Sequence, residues 1–311
     1  RLPMLNIVPD ELKNPEIGTS MIHVNSGIVF EVDHCGDGDE LALCLHGFPE
    51  HSFSWRHQLP VLAEQGFTAW APNLRGYGNT TRPGKLKDYA LDKLVEDVAQ
   101  LIIASKKKKV TLIGHDWGGI IAWEFAITDR LPLERLIICN GPHMRSYVDT
   151  FGWSQLLKSW YVFYFQIPWL PEYLAGLQGA RAIGEIFEKT NKNEAAFPPE
   201  VIEVYRRNAS QSGALRAMIH FYRAYRYGWW ERERKWRNNL YEPITTSTLL
   251  IWGDEDEFLD KAIATNTHNY VTDLQIRFIK GASHWVQQER PDEVNQLIEE
   301  FVTQTIRTEN D

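Results

Sequence analysis

The stretch best suited to chemistry is Gly114-His115-Asp116-Trp117-Gly118-Gly119. The apolar, β-branched run Val110 to Ile113 precedes it, and Ile120, Ile121, Trp123, Phe125 and Ala126 follow at helical spacing. This pattern predicts a strand, a sharp turn and a helix, with the residue at the bend thrust above the sheet edge as in a nucleophile elbow. Flanking glycines let strand and helix approach closely. The residue at the bend is Asp116. A carboxylate is already ionised at neutral pH and needs no base to attack an sp3 carbon that carries a leaving group, whereas a serine would suit a carbonyl. The attack would leave an ester on Asp116, which a second step must hydrolyse. Taken alone, the motif also fits an ordinary turn with Asp near a helix N-terminus, where the helix dipole favours negative charge.

Three further stretches stand at the ends of predicted strands, where reactive groups collect in an open parallel sheet. His46-Gly47-Phe48-Pro49 follows Leu41 to Leu45, Gly253-Asp254-Glu255-Asp256 follows Ser247 to Trp252, and Gly281-Ala282-Ser283-His284-Trp285 follows Leu274 to Ile279. The chain order is nucleophile, acid, histidine. Ester hydrolysis needs a general base, and His284 is the candidate. Asp254 or Asp256 can orient its ring and stabilise the imidazolium. Asn140, after the predicted strand Arg135 to Cys139, cannot hold that charge. Water adding to the ester creates an oxyanion, for which the expected donors are the backbone N–H groups of Phe48 and Trp117. Each such donor is worth about 3 kcal/mol in a transition state.

The elements that must position these residues follow from periodicity. Residues 1 to 20 show no clear period and are expected to wrap the surface. Met21 to Asn25 and Ile28 to Asp33 alternate across Ser26-Gly27 as a hairpin. A helix is predicted over Ser54 to Glu64, a strand over Phe67 to Ala71, and a helix from Leu91 with Leu94, Val95, Val98, Leu101 and Ile102 on one face. The basic run Lys106 to Lys109 reads as a solvated loop, and a helix is expected from Leu259. A closing helix spans Pro291 to Ile306. Alternating strands and helices define an α/β class, with a mostly parallel sheet covered on both faces. From about 145 to 240 strand signals vanish and the chain becomes aromatic and helical, with a polar loop at Asn191 to Pro199. This segment is either an inserted cap or a helical half of one core. The division expected for a cap is 1–144 and 241–311 for the sheet domain and 145–240 for the insertion.

Composition limits the function. With 311 residues, 43% hydrophobic and 24% charged, the chain can bury one sizeable core. A net charge of −8 argues against a nucleic-acid partner and a basic membrane patch. Cys35, Cys44 and Cys139 are odd in number, with two inside apolar runs, and read as reduced core thiols in a cytoplasmic protein. No apolar run approaches membrane-spanning length, and no leader is evident. Oligomeric state is not legible.

Together these motifs resemble the soluble epoxide hydrolases of the α/β-hydrolase superfamily, and the similarity runs from the first hairpin to the last helix. The resemblance implies an α/β-hydrolase fold with an inserted helical cap, Asp256 rather than Asp254 as the acid, an oxyanion hole at Phe48 and Trp117, and a cis peptide before Pro49. An opening epoxide develops a basic alkoxide that needs a proton donor, and a tyrosine hydroxyl can supply it. The family uses two cap tyrosines. The first matches Tyr161 in Tyr161-Val162-Phe163-Tyr164-Phe165-Gln166, and the second Tyr222 in His220-Phe221-Tyr222-Arg223. Tyr164, Tyr225 and Tyr227 are expected to pack in the core. The implied reaction takes a lipophilic small-molecule epoxide and water to a vicinal diol, with no cofactor and no metal. Haloalkane dehalogenases share the Asp-Trp elbow but often carry Asn where Phe48 stands; a non-catalytic ligand receptor is the third reading.

Overall fold

The computed structural model describes residues 6–310, with side chains to residue 304. Among these, eight strands form one sheet: β1 (Gly18–His23), β2 (Val29–Cys35), β3 (Glu40–Leu45), β4 (Phe67–Pro72), β5 (Val110–His115), β6 (Arg135–Cys139), β7 (Ser247–Gly253) and β8 (Leu274–Ile279). Their order is β1-β2-β4-β3-β5-β6-β7-β8. β2 pairs antiparallel with β1 and with β4, and every other neighbouring pair is parallel. The predicted hairpin forms, with Ile22 opposite Phe30, and its turn uses Gly27 at φ 84°. Its first strand starts earlier than expected, at Gly18. Residues 1–5 lie outside the described residues.

Helices α1 (Gln58–Glu64), α2 (Leu91–Ser105) and α3 (Trp117–Ile127) connect the first strands, and α4 (Met144–Asp149), α5 (Trp153–Lys158), α6 (Trp160–Tyr164), α7 (Leu170–Thr190), α8 (Pro199–Ser210), α9 (Ala214–Ala224) and α10 (Trp229–Arg237) fill the stretch between β6 and β7. α11 (Lys261–Asn266), α12 (Val286–Glu289) and α13 (Pro291–Asn310) complete the chain. β3 alternates between the two layers. Leu41, Leu43 and Leu45 join Leu94, Val98 and Ile121 on one face, while Ala42 and Cys44 join Leu59, Leu62 and Phe301 on the other. The central strand β5 is buried along its whole length, as its mostly apolar residues require, and it buries Thr111 and His115 with them. This is the α/β-hydrolase architecture, a mostly parallel sheet with a helical insertion.

Three local expectations change. The helix at Ser54 to Glu64 divides into a 3-10 turn, Ser52–Trp55, and α1, because the His51 side chain accepts the Phe53 N–H and starts a separate turn. Lys106 to Lys109 is not simply solvated: Lys107 Nζ donates to Gly38 O at 2.7 Å and Lys109 lies 3.8 Å from Glu40. The helix expected from Leu259 starts at Lys261, because the Asp256 carboxylate takes the Phe258 and Leu259 N–H groups into a turn of its own. All three cysteines are buried and free.

The insertion packs through its apolar faces. Val201, Val204 and Tyr205 of α8 and Leu215, Met218 and Phe221 of α9 are buried. α7 breaks at residues 177–180, where Gln178, Gly179 and Ala180 have left-handed backbone. Arg223 of α9 fixes the link from α6 to α7, donating to Phe165 O at 2.7 Å and Ile167 O at 2.6 Å and pairing with Glu172.

Candidate active site

β5 ends at His115, and Asp116 turns the chain at φ 51° and ψ −116° before α3 begins. A side chain held there costs on the order of 1–3 kcal/mol, so its surroundings must enforce it. They do so by close contact. A Cβ on Gly118 would lie 2.1 Å from Leu45 O, and one on Gly47 would lie 2.4 Å from Asp116 Cβ. Only glycine lets α3 and the loop after β3 close on the bend. The Phe48-Pro49 peptide is cis, and the Phe48 N–H donates to Asp116 Oδ1 at 2.7 Å. Trp117, the second expected donor, opens α3.

His284 and Asp256, on the loops after β8 and β7, meet the elbow from the other side. His284 Nε2 lies 3.4 Å from Asp116 Oδ2, and its Nδ1–H donates to Asp256 Oδ2 at 2.7 Å. Asp256 Oδ1 accepts from Phe258 and Leu259 N–H. Asp254 turns away to accept the Gly281 N–H at 2.8 Å. Asn140 donates Nδ2–H to Asp256 Oδ2 at 2.7 Å and accepts the Gly253 N–H at 2.8 Å. Sequence reasoning weighed Asn140 only as a poor charge partner and missed it as a donor. The amide's ability to donate and accept at once was the available signal. Burial pushes the Asp256 carboxyl up, but the His284 ring and the donors from Asn140 and Phe258 outweigh it and hold the pKa below the ordinary value. Burial would likewise lower His284, yet Asp256 and Asp116 overcome it and raise the ring to about 10.

A second buried pair supports both halves of the site. Glu50 Oε2 accepts from His115 Nδ1 and from Gly47 N–H, each at 2.7 Å, while Oε1 accepts from Gln287 and Gln288. His115 Nε2–H donates to His284 O at 2.8 Å. Burial pushes Glu50 up, and the adjacent His115 more than offsets this and lowers it. One carboxylate thus tethers the Phe48 loop, the elbow strand and, through His115, the loop of His284. The sequence held a hint, since His115 closes an otherwise apolar strand and a buried imidazole needs a partner.

Tyr161 on α6 and Tyr222 on α9 meet edge to face with ring centres 5.9 Å apart. Tyr222 is wedged against Phe48 and Trp117, at 5.2 and 5.1 Å. Two cavities, of about 280 and 560 Å³, share Asp116, Tyr161 and Tyr222 in their walls. The smaller also touches His284, Phe258 and Trp285, the larger Trp117, Met144 and Tyr147. Burial, followed by neighbouring charge including Asp116, holds both hydroxyls well above the ordinary tyrosine range. They are protonated donors. Tyr164 and Tyr225 pack against the core as expected but also line the smaller and larger cavities; Tyr227 packs against the core. Among the described residues no group of three or more His, Cys, Asp or Glu side chains could hold a metal ion.

The family model for the alpha/beta hydrolase fold matches residues 43–291. Epoxide hydrolase 3 of Xenopus tropicalis is 36% identical over 286 residues, covering 89% of this chain and 76% of the relative. Epoxide hydrolase 4 of Homo sapiens is 34% identical over 324 residues, covering 99% of this chain and 85% of the relative. Among solved structures, an epoxide hydrolase from Vigna radiata superposes with a TM-score of 0.80 at 27% identity, covering 94% of this chain and 99% of that one. The chain belongs to the α/β-hydrolase superfamily and, within it, to the epoxide hydrolase family.

Proposed function

We propose that this protein hydrolyses lipophilic epoxides to vicinal diols through a covalent ester on Asp116. The reading is carried by one arrangement: the elbow carboxylate has one oxygen on the Phe48 N–H and the other toward His284, in a cavity it shares with two protonated tyrosines. Oδ1 is held where an oxyanion would form, so Oδ2 is the oxygen free to attack a ring carbon. As the ring C–O bond breaks, Tyr161 and Tyr222 hydrogen-bond the developing alkoxide and one passes it a proton. Phenols suit a basic alkoxide; a departing halide needs no proton, which disfavours the dehalogenase reading.

Ester formation also prepares the second step. In the resting site two carboxylates raise the His284 ring to about 10, which would keep it protonated and useless as a base. Alkylation removes the charge of Asp116, so the ring's proton affinity falls, its proton passes to the tyrosinate left by ring opening, and His284 is neutral when a base is needed. His284, held by Asp256, then takes a proton from water as that water adds to the Asp116 ester carbon. The resulting oxyanion is received by the N–H groups of Phe48 and Trp117. Its collapse breaks the bond to the ester oxygen that carries the substrate, the new Asp116 carboxylic acid gives its proton to the departing alkoxide, and the diol leaves. His284 keeps the proton taken from water, which restores the resting site. We assign residues 145–240 as the cap supplying the tyrosines, and 1–144 with 241–311 as the domain supplying Asp116, Asp256 and His284.

A single turnover of styrene oxide in heavy-oxygen water, followed by peptide mass analysis, tests the proposal. Label is expected in the peptide carrying Asp116. Diol formation with an unlabelled Asp116 would mean that water attacks the epoxide directly.

A further inference from the structure

Among the described residues, fourteen large apolar or aromatic side chains are exposed, and ten of them fall between 151 and 177. The most open of these ten are Trp153 at 83%, Leu157 at 75%, Trp169 at 71% and Trp160 at 64%. Surface apolar groups normally lie scattered, and a collection of this kind marks an interaction surface. The stretch also presents no unpaired charge. Its two ionic side chains are neutralised within the molecule, Lys158 at 3.1 Å from Asp260 and Glu172 by Arg223.

The exposed rings continue into the site. Trp160 and Leu174 line the smaller cavity, Phe151 and Phe163 line the larger, and Leu157 lies beside Trp160 in an adjoining groove. Trp160 and Phe163 are more than half exposed while forming cavity wall, so both cavities open on this surface.

We propose that residues 151–177 seat the protein on a zwitterionic lipid bilayer, with the cavity mouths toward the lipid. Tryptophans bury an apolar ring and keep an N–H at the headgroups, which suits Trp153, Trp160 and Trp169 to that depth. Attraction to anionic lipid requires lysines and arginines free to face it, and a surface without unpaired charge on a chain of net charge −8 offers none. A rigid partner such as a second copy of the chain would cover the mouths that lead to Asp116. A fluid surface leaves them open and concentrates apolar ligands beside them, a benefit that rests on the epoxide reading although the docking does not. The contact is peripheral, since no helix among the described residues is long and apolar enough to cross a membrane.

The test is flotation of the full chain with phosphatidylcholine vesicles, alongside sedimentation velocity without lipid. The wild-type protein should float with the vesicles and its tryptophan emission should shift to the blue. The double variant Trp153→Glu/Trp169→Glu, which alters neither cavity wall, should bind at least tenfold more weakly with an unchanged unfolding midpoint. Its turnover of dissolved styrene oxide should equal that of the wild type, while turnover of an epoxide dissolved in the vesicles falls. Weaker vesicle binding supports the surface whether or not either protein turns over an epoxide, which separates it from the proposed reaction. The proposal is overturned if wild type stays behind at every lipid concentration or the variant floats equally well. It is also overturned if sedimentation reveals a dimer that the variant dissociates and that lipid does not displace.

Discussion

Tyr161 and Tyr222 enclose the same space as Asp116, and their hydroxyls are kept protonated by burial and by the neighbouring negative charge. Either phenol alone can still bind an alkoxide, so single substitutions should slow ring opening and the pair Tyr161→Phe/Tyr222→Phe should abolish it. Stopped-flow fluorescence of ester formation is the measurement, and unchanged rates would remove the tyrosines from the mechanism. In the proposed reaction Asp256 acts on His284 rather than on the epoxide. Burial opposes protonation of His284, but the carboxylates win and raise its pKa from 6.5 to about 10 in the folded protein. A raised value means that the folded state holds the proton more tightly. The resulting stabilisation is fully present below about 6.5, fades as the pH rises, and is gone above about 10. In Asp256→Asn most of that dependence should vanish. Urea midpoints for both proteins between pH 6 and 10 will show a steeper fall for the wild type.

Strands β6 and β8 coincide with their predicted bounds because each is a short strand pattern closed by turn residues, a buried apolar run in β6 and an apolar-polar alternation in β8. The elbow was legible for a similar reason, since glycine spacing records a close approach directly in the sequence. That approach can be tested by Gly118→Ala, whose new methyl would sit 2.1 Å from a backbone oxygen of β3 that cannot rotate away. A loss of about 3 kcal/mol in urea unfolding is expected, the upper end for overpacking, together with loss of activity as Asp116 shifts. An unchanged midpoint would show that the elbow tolerates a wider gap. Other features were hidden because their meaning lies in distant partners. Glu50 gains its role from glutamines 237 and 238 positions away, and Asn140 from an acid 116 positions away. The break in α7 carries only Gly176 and Gly179 as local signs. Composition left open whether residues 145–240 formed an insertion or half of the main core, because both bury similar aromatic faces.

Across the whole molecule, the insertion and the sheet domain are joined near Asp116. The Glu50 carbonyl accepts from Asn208 of α8, and Asn208 Oδ1 in turn accepts the Gly78 N–H. Gln288, which holds the Glu50 side chain, accepts from Tyr205 of the same helix at 2.6 Å. Lys158 of α5 donates to the backbone of Asp256 at 2.7 Å. The Glu50 and Asp256 segments that organise the candidate site are each stitched upward into the helices above. Lifting those helices away as a rigid flap would strand polar groups that lie deep in the interior, so ligand exchange falls to rearrangement of side chains at the rim. The roof is part of the masonry, and traffic passes through its windows.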